Sequence, residues 1–332
     1  MQLAISTRKP FSFAQTLTFA RRFAPLETNA IIDDTSLTAA LAAGGRAWPF
    51  ELREQAGELV AIVPSGAPSA LGRRIADFIG ADDDLTRFYA CAASDAAMTP
   101  VIAELHGLHH VRFLGLEEIS VYCTMMQRTP IAMAARMKRA FLERFGHAAL
   151  VRGHTLYAMP ELGELARLEV PAIAAAIKHP AKAERIVTIV RAVAALGESF
   201  LRTAPYAEAR DALLEIPGIG PFSAGAILLR GLGRTDELPS LVMFSDAIAA
   251  VYGSRWNEAA IVRRYGRDIG TWAFYLKTAF ARLSDSGTPS CSGMPSRSRA
   301  AATGADPRRS RGSSSDRRAS PRSSRPSSRP ST

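Results

Sequence analysis

The residues best placed to do chemistry begin with Gly218-Ile219-Gly220. An apolar stretch, Ala212-Leu213-Leu214, runs through Ile216-Pro217 into this Gly-x-Gly, and a small-residue helix is predicted directly after it, over 222–229. Two helices joined in this way leave backbone N–H groups unpaired at the start of the second. Those donors lie at the positive end of a helix dipole, which suits a phosphate. Glycine also lets another backbone approach with no Cβ in between. A helix–turn–helix that only packs has the same five residues. Asp82-Asp83-Asp84 precedes Leu85 and is read as a helix cap rather than as a metal site. His109-His110 lies just ahead of a helical region and is read as a loop pair.

Composition limits the classes of function. Ten arginines against three aspartates in 284–332 account for +7 of the chain's +10, which leaves +3 for residues 1–283. The high isoelectric point is therefore mainly a property of the tail, and says little about the body's partners. Cys91, Cys123 and Cys291 are too widely spaced for a zinc or iron–sulfur set, and no metal is expected. A reduced, cytosolic protein follows. No apolar run approaches the roughly eighteen residues of a membrane span, and 1–9 lack a signal-peptide pattern.

These residues must be positioned by two kinds of structure. Residues 1–105 read as a small antiparallel α/β domain. It has a helix at 12–22, strands at 47–53 and 59–63 joined by a turn at 54–57, and a helix at 71–80. Residues 106–283 read as all helical, with apolar spacings of three and four over 116–126 and 131–145 and a stop at Gly146. Further helices are predicted at 162–168, 170–178, 181–196, 247–252, 258–265 and 268–283. Lys182 and Arg185 are read as a solvated face. The last helix carries Trp272, Phe274, Tyr275 and Phe280, mostly as core. Residues 284–332, rich in Ser, Arg and Pro, are predicted to be disordered. The fold class is thus α+β.

Three stretches, in this order, carry a resemblance. The first is Gly107-Leu108-His109-His110-Val111 leading to Met125-Met126-Gln127 and then 131–136. The second is 214–225, which holds the hairpin, and the third is 265–275. With them the chain resembles the helix–hairpin–helix DNA glycosylases, and within these the AlkA-type 3-methyladenine DNA glycosylase II branch, over roughly residues 10–283. The resemblance implies base-excision repair of double-stranded DNA by a cytoplasmic, nucleoid-associated monomer. The enzyme would flip out an alkylated purine and hydrolyse its glycosidic bond. Gly218, Ile219 and Gly220 would bind phosphate. Phe222, Trp272 and Tyr275 would line the base pocket, and His110 falls where a wedge would fill the gap in the stack. No cofactor is required, although the resemblance allows a monovalent cation on the hairpin carbonyls.

Phe222 stands where lyase-type relatives keep a nucleophilic lysine, and no lysine occurs between Lys182 and Lys277, so monofunctional hydrolysis is expected. The chain departs from the pattern at the catalytic acid. Counted without gaps it should fall at 240–242, where no acid occurs. Asp246, at the start of the next helix, is the favoured residue, with a loop about four residues longer than the family's; Asp236 and Glu237 are the other candidates. Two alternatives stay open: a non-catalytic DNA-lesion-binding relative, and a glycosylase for deaminated or oxidised purines.

Overall fold

Alternation in sequence builds the N-terminal sheet. Along β4 (Arg46–Gln55) every second residue, including Trp48, Phe50 and Leu52, turns inward. The computed structural model describes residues 1–286 apart from Thr28 and Pro239. In it β4 lies at the centre of a five-stranded antiparallel sheet of order β1-β5-β4-β3-β2, completed by β1 (Gln2–Ala4), β2 (Ala30–Ile32), β3 (Ser36–Ala43) and β5 (Glu58–Ile62). β3 is buried on both faces. Leu37, Ala39 and Leu41 meet the helices Phe13–Ala20 and Ala70–Phe78. Ala40 and Ala42 meet Leu156 and Ala158 of a second hairpin, β6 (His147–Val151) and β7 (His154–Ala158). Its tight turn places Arg152 and Gly153 at φ +50° and +77°. β1, β2, β3, β6 and β7 were not among the predicted elements.

The helical body forms around Leu116–Met126, which is buried from Leu116 to Met125. Ile131–Phe145, Pro180–Leu196 and the hairpin region pack on it, through Phe141, Ile189, Leu213 and Leu228 among others. Burial pushes the Cys123 thiol up to about 12, so it stays protonated. A third core joins Leu85, Phe88, Met98 and Leu105 to Trp272, Tyr275 and Leu276 of the last helix. The first 105 residues therefore divide between two cores, because 85–105 pack against the C-terminal helices rather than against the sheet. The boundary expected at 105 falls within this third core, which holds both Leu105 and Leu108. The described residues form a single packed unit. The last helix, Ile269–Ser286, runs past 283, and the expected disordered tail lies, from 287 onward, outside the described residues.

Candidate active site

The hairpin turns because its isoleucines go inward. Ile216 and Ile219 are buried, and the N–H of Ile219 donates to the Ile216 carbonyl at 3.0 Å. Gly218 closes the turn at φ +94°, in the left-handed region that favours glycine. Gly220 then caps Pro221–Ala226, with Pro221 in the first turn, where a missing N–H costs nothing. Gly218 and Gly220 thus face outward, with their backbone exposed.

A brace holds this turn from behind. Gln127 Nε2 donates to the Gly218 carbonyl at 2.8 Å, and Arg185 donates to Gln127 Oε1 at 3.3 Å. The Arg185 stem also lies alongside Gly218. Lys182 was read as part of a solvated face. It is instead buried, donating to the carbonyls of Thr124 (3.0 Å) and Gln127 (2.7 Å) that end the 116–126 helix. At a helix C-terminus carbonyls keep acceptor capacity that the helix does not fill, and the lysine is held by it: Thr124 accepts otherwise from the Gln127 N–H at 3.3 Å and Gln127 from the Thr129 hydroxyl at 2.9 Å.

Beside the hairpin opens a cavity of about 440 Å³ with aromatic walls, among them Phe19, Phe23, Phe222, Phe244 and Phe274. Phe222, 51% exposed, stands at its edge two residues after Gly220. The last helix turns Phe274, Lys277, Thr278 and Ala281 toward the cavity. Trp272 and Tyr275 face the other way, which overturns their expected place in the pocket. Both are fully buried, and neither lines the cavity. Trp272 Nε1 donates to Tyr252 Oη at 2.8 Å, Tyr252 donates to Asp95 at 2.8 Å, and Tyr275 Oη donates to the Leu108 carbonyl at 2.8 Å. These are core anchors.

His110 is also misplaced by the expectation. It is 3% exposed, on the wall of the cavity, edge-on to Phe274 at 4.3 Å. A buried ring cannot protrude into a base stack, so it is not the wedge. Its Nε2 lies 2.9 Å from Arg230, which can only donate, so the imidazole is neutral with its proton on Nδ1. Burial, then the charges of Arg230 and Arg112, hold its pKa well below the usual value.

Arg230 itself had no predicted role. The helix after the hairpin widens into a π turn at Ile227–Gly231, and Leu229 and Arg230 line the cavity from it. The guanidinium lies over the rings of Phe23 (4.6 Å), Phe19 (5.4 Å) and Phe274 (5.6 Å). Burial, and then the charge of Arg112, pull its pKa down to about 9. Lys277 at the mouth is shifted downward too, by desolvation and by Arg230.

Among the described residues no carboxylate lines this cavity. Of the three acids considered, Glu237 is bound by Arg210 at 2.7 Å and Asp236 faces Arg234 at 3.8 Å. Asp246 stands in the first turn of Ser245–Tyr252, exposed, with no side-chain partner among the described residues. Its neighbours Met243 and Phe244 line the cavity.

No protein-family model matches the chain. It is 29% identical over 167 residues to the DNA-3-methyladenine glycosylase of Bacillus subtilis (strain 168). That match covers 50% of this chain and 55% of the other, so the chain spans about half the length of this relative. By structure it is similar to a 3-methyladenine DNA-glycosylase from Archaeoglobus fulgidus, with TM-score 0.69 and 18% identity, covering 86% of this chain and 99% of that one. It is also similar to the 8-oxoguanine glycosylase/lyase of Clostridium acetobutylicum in complex with duplex DNA, with TM-score 0.62 and 13% identity, covering 83% and 93%. Among the described residues no helix is long and apolar enough to cross a membrane.

Proposed function

We propose that this chain, whose fold is that of the helix–hairpin–helix DNA glycosylases, is a base-excision enzyme for alkylated purines of the 3-methyladenine type. It would act as a monomer on double-stranded DNA, in the cytoplasm at the nucleoid. The observation that carries the reading is one of continuity. Phe222 stands at the cavity's edge two residues beyond the glycine that ends the phosphate-type hairpin.

In this reading the hairpin N–H groups hold a backbone phosphate and add no sequence preference. A nucleotide turned out of the stack places its base between the Phe222 and Phe274 faces. The bond from C1′ to the base nitrogen breaks, and its electron pair leaves with the base. The sugar becomes oxocarbenium-like, and the Asp246 carboxylate stabilises it. Water adds at C1′ and gives its proton to that carboxylate. A methylated purine that carries a positive charge departs neutral and needs no acid.

Monofunctional hydrolysis is supported by Phe222 in place of a hairpin lysine. Lys277 at the mouth is the amine to watch, and an adduct trapped there by borohydride would make the enzyme a lyase. The hairpin cation has less support. Gly218 already accepts from Gln127 and Ile216 from Ile219, so those two carbonyls are engaged, and no step runs through an ion. A second reading, non-catalytic binding of damaged DNA, draws on the absence of a carboxylate from the cavity lining among the described residues.

Chromatography of the products from methylated duplex DNA separates the two readings. Free methylated base is expected. Tight binding with no base released, even at stoichiometric protein, would favour the second. The hairpin's part is tested by two glycines. Gly220 has φ −102° and nothing within 4 Å of an added Cβ, so Gly220→Ala should leave stability within about 0.5 kcal/mol yet weaken duplex binding, as the Cβ enters the phosphate's approach. Gly218→Ala forces a left-handed alanine and should also cost about 1 kcal/mol of stability, read by denaturant unfolding.

A further inference from the structure

The cavity contains a charge that the reading above does not use. Arg230 presents a guanidinium to the space between the aromatic walls, held by three rings and by the bond to neutral His110. It has no carboxylate partner among the described residues. The neighbouring Arg112, whose charge acts on Arg230, is itself paired with Asp83 and donates to the Asp77 carbonyl at 3.0 Å. Arg230 is therefore built into the cavity wall, on a π turn whose Gly231 admits Ile119 where a Cβ would clash at 2.8 Å.

Resting on the glycosylase reading, we propose that Arg230 is a catalytic residue that stabilises the departing base. In every glycosidic cleavage the base gains an electron pair, so its charge falls by one unit as the bond breaks. A cationic methylated purine becomes neutral, and its repulsion by Arg230 is relieved at the transition state. A neutral purine becomes an anion, and attraction to Arg230 appears there. Either way the interaction is better in the transition state than in the ground state, which is what accelerates the chemical step. The two lesion types differ only on binding: the cation must enter against Arg230, whereas the neutral base need not. The ring faces are already occupied in part by the protein's own cation, so they offer a cationic base less than an empty aromatic box would.

Single-turnover kinetics with excess protein tests this on two duplexes, one with 7-methylguanine (cationic) and one with hypoxanthine (neutral). Three proteins are compared: wild type, Arg230→Gln and Arg230→Lys, each checked for folding by its thermal transition. Arg230→Gln is expected to lower the limiting rate on both duplexes by roughly 10²-fold. On the cationic lesion it should also lower the half-saturating protein concentration, about threefold or more, because the repulsion by Arg230 in the bound state is gone. Arg230→Lys keeps the charge and should stay within about tenfold of wild type in limiting rate. The proposal is overturned if Arg230→Gln leaves the limiting rates unchanged, or if it raises the half-saturating concentration for the cationic lesion. Equal losses in the lysine and glutamine variants would also overturn it, since packing alone would then account for them. If the wild type releases neither base, the glycosylase reading fails first, and this inference with it.

Discussion

Lys138→Met is expected to lower the free energy of unfolding by about 3–5 kcal/mol. Lys138 and Glu118 are each 1% exposed and form an ion pair inside the protein. The lysine also donates to the Pro25 carbonyl and, at 3.3 Å, to Asn29, while Glu118 accepts from the Leu114 N–H at 3.0 Å. Removing the cation leaves a buried carboxylate facing only one N–H. The double variant Lys138→Met with Glu118→Gln removes both charges and keeps an acceptor for Leu114. It should recover most of the loss, a coupling of about 2 kcal/mol or more. Urea unfolding with an unchanged m-value measures it; a loss below about 1 kcal/mol in the single variant would contradict the assignment. The pair matters beyond stability. It ties 25–29 to the two helices behind the cavity, and Phe23 of the same segment is a cavity wall, edge-on to Phe113 at 5.1 Å.

Asp246→Asn is expected to reduce base release by roughly 10²–10⁴-fold while duplex binding stays within a few-fold. The asparagine keeps shape and loses charge, and charge is what an oxocarbenium-like sugar requires. The competing role, support of the helix at its first turn, predicts something different. A carboxylate there stabilises a helix by only about 0.3–1 kcal/mol, so the variant would lose a little stability and no activity. Asp236→Asn and Glu237→Gln serve as controls. Their carboxylates are engaged by Arg234 and Arg210, and activity is expected to remain within about threefold of wild type.

Much of this was legible in the sequence, for identifiable reasons. The hairpin is written in glycine and proline, which punctuate a chain whatever surrounds them. The helices at 116–126 and 131–145 carry their own period, and both end where the spacing ended. β3 was missed because half of Ser36–Ala43 is alanine, which suits a strand only when both faces are covered, and the β6–β7 hairpin that covers one was missed too. The last helix has aromatics on both faces. Trp272 and Tyr275 lie on one and Phe274 on the other, and no local rule says which face meets a cavity. Lys182 and Arg230 were unreadable for a related reason. A charge near a helix end usually marks solvent, and only tertiary structure brings the carbonyls of another helix's end to the one and phenyl rings to the other. His110 was placed by counting along a resemblance, which cannot distinguish a wall from a protrusion.

The claim that this chain cuts base from sugar, with Asp246 as its carboxylate, is tested most directly by one paired measurement. Wild type and Asp246→Asn are incubated in excess with duplex DNA carrying N-methylated purines, and free base and bound duplex are followed together. The account predicts release by the wild type, and binding with release lower by roughly 10² or more in the variant. Equal release by both proteins would contradict it.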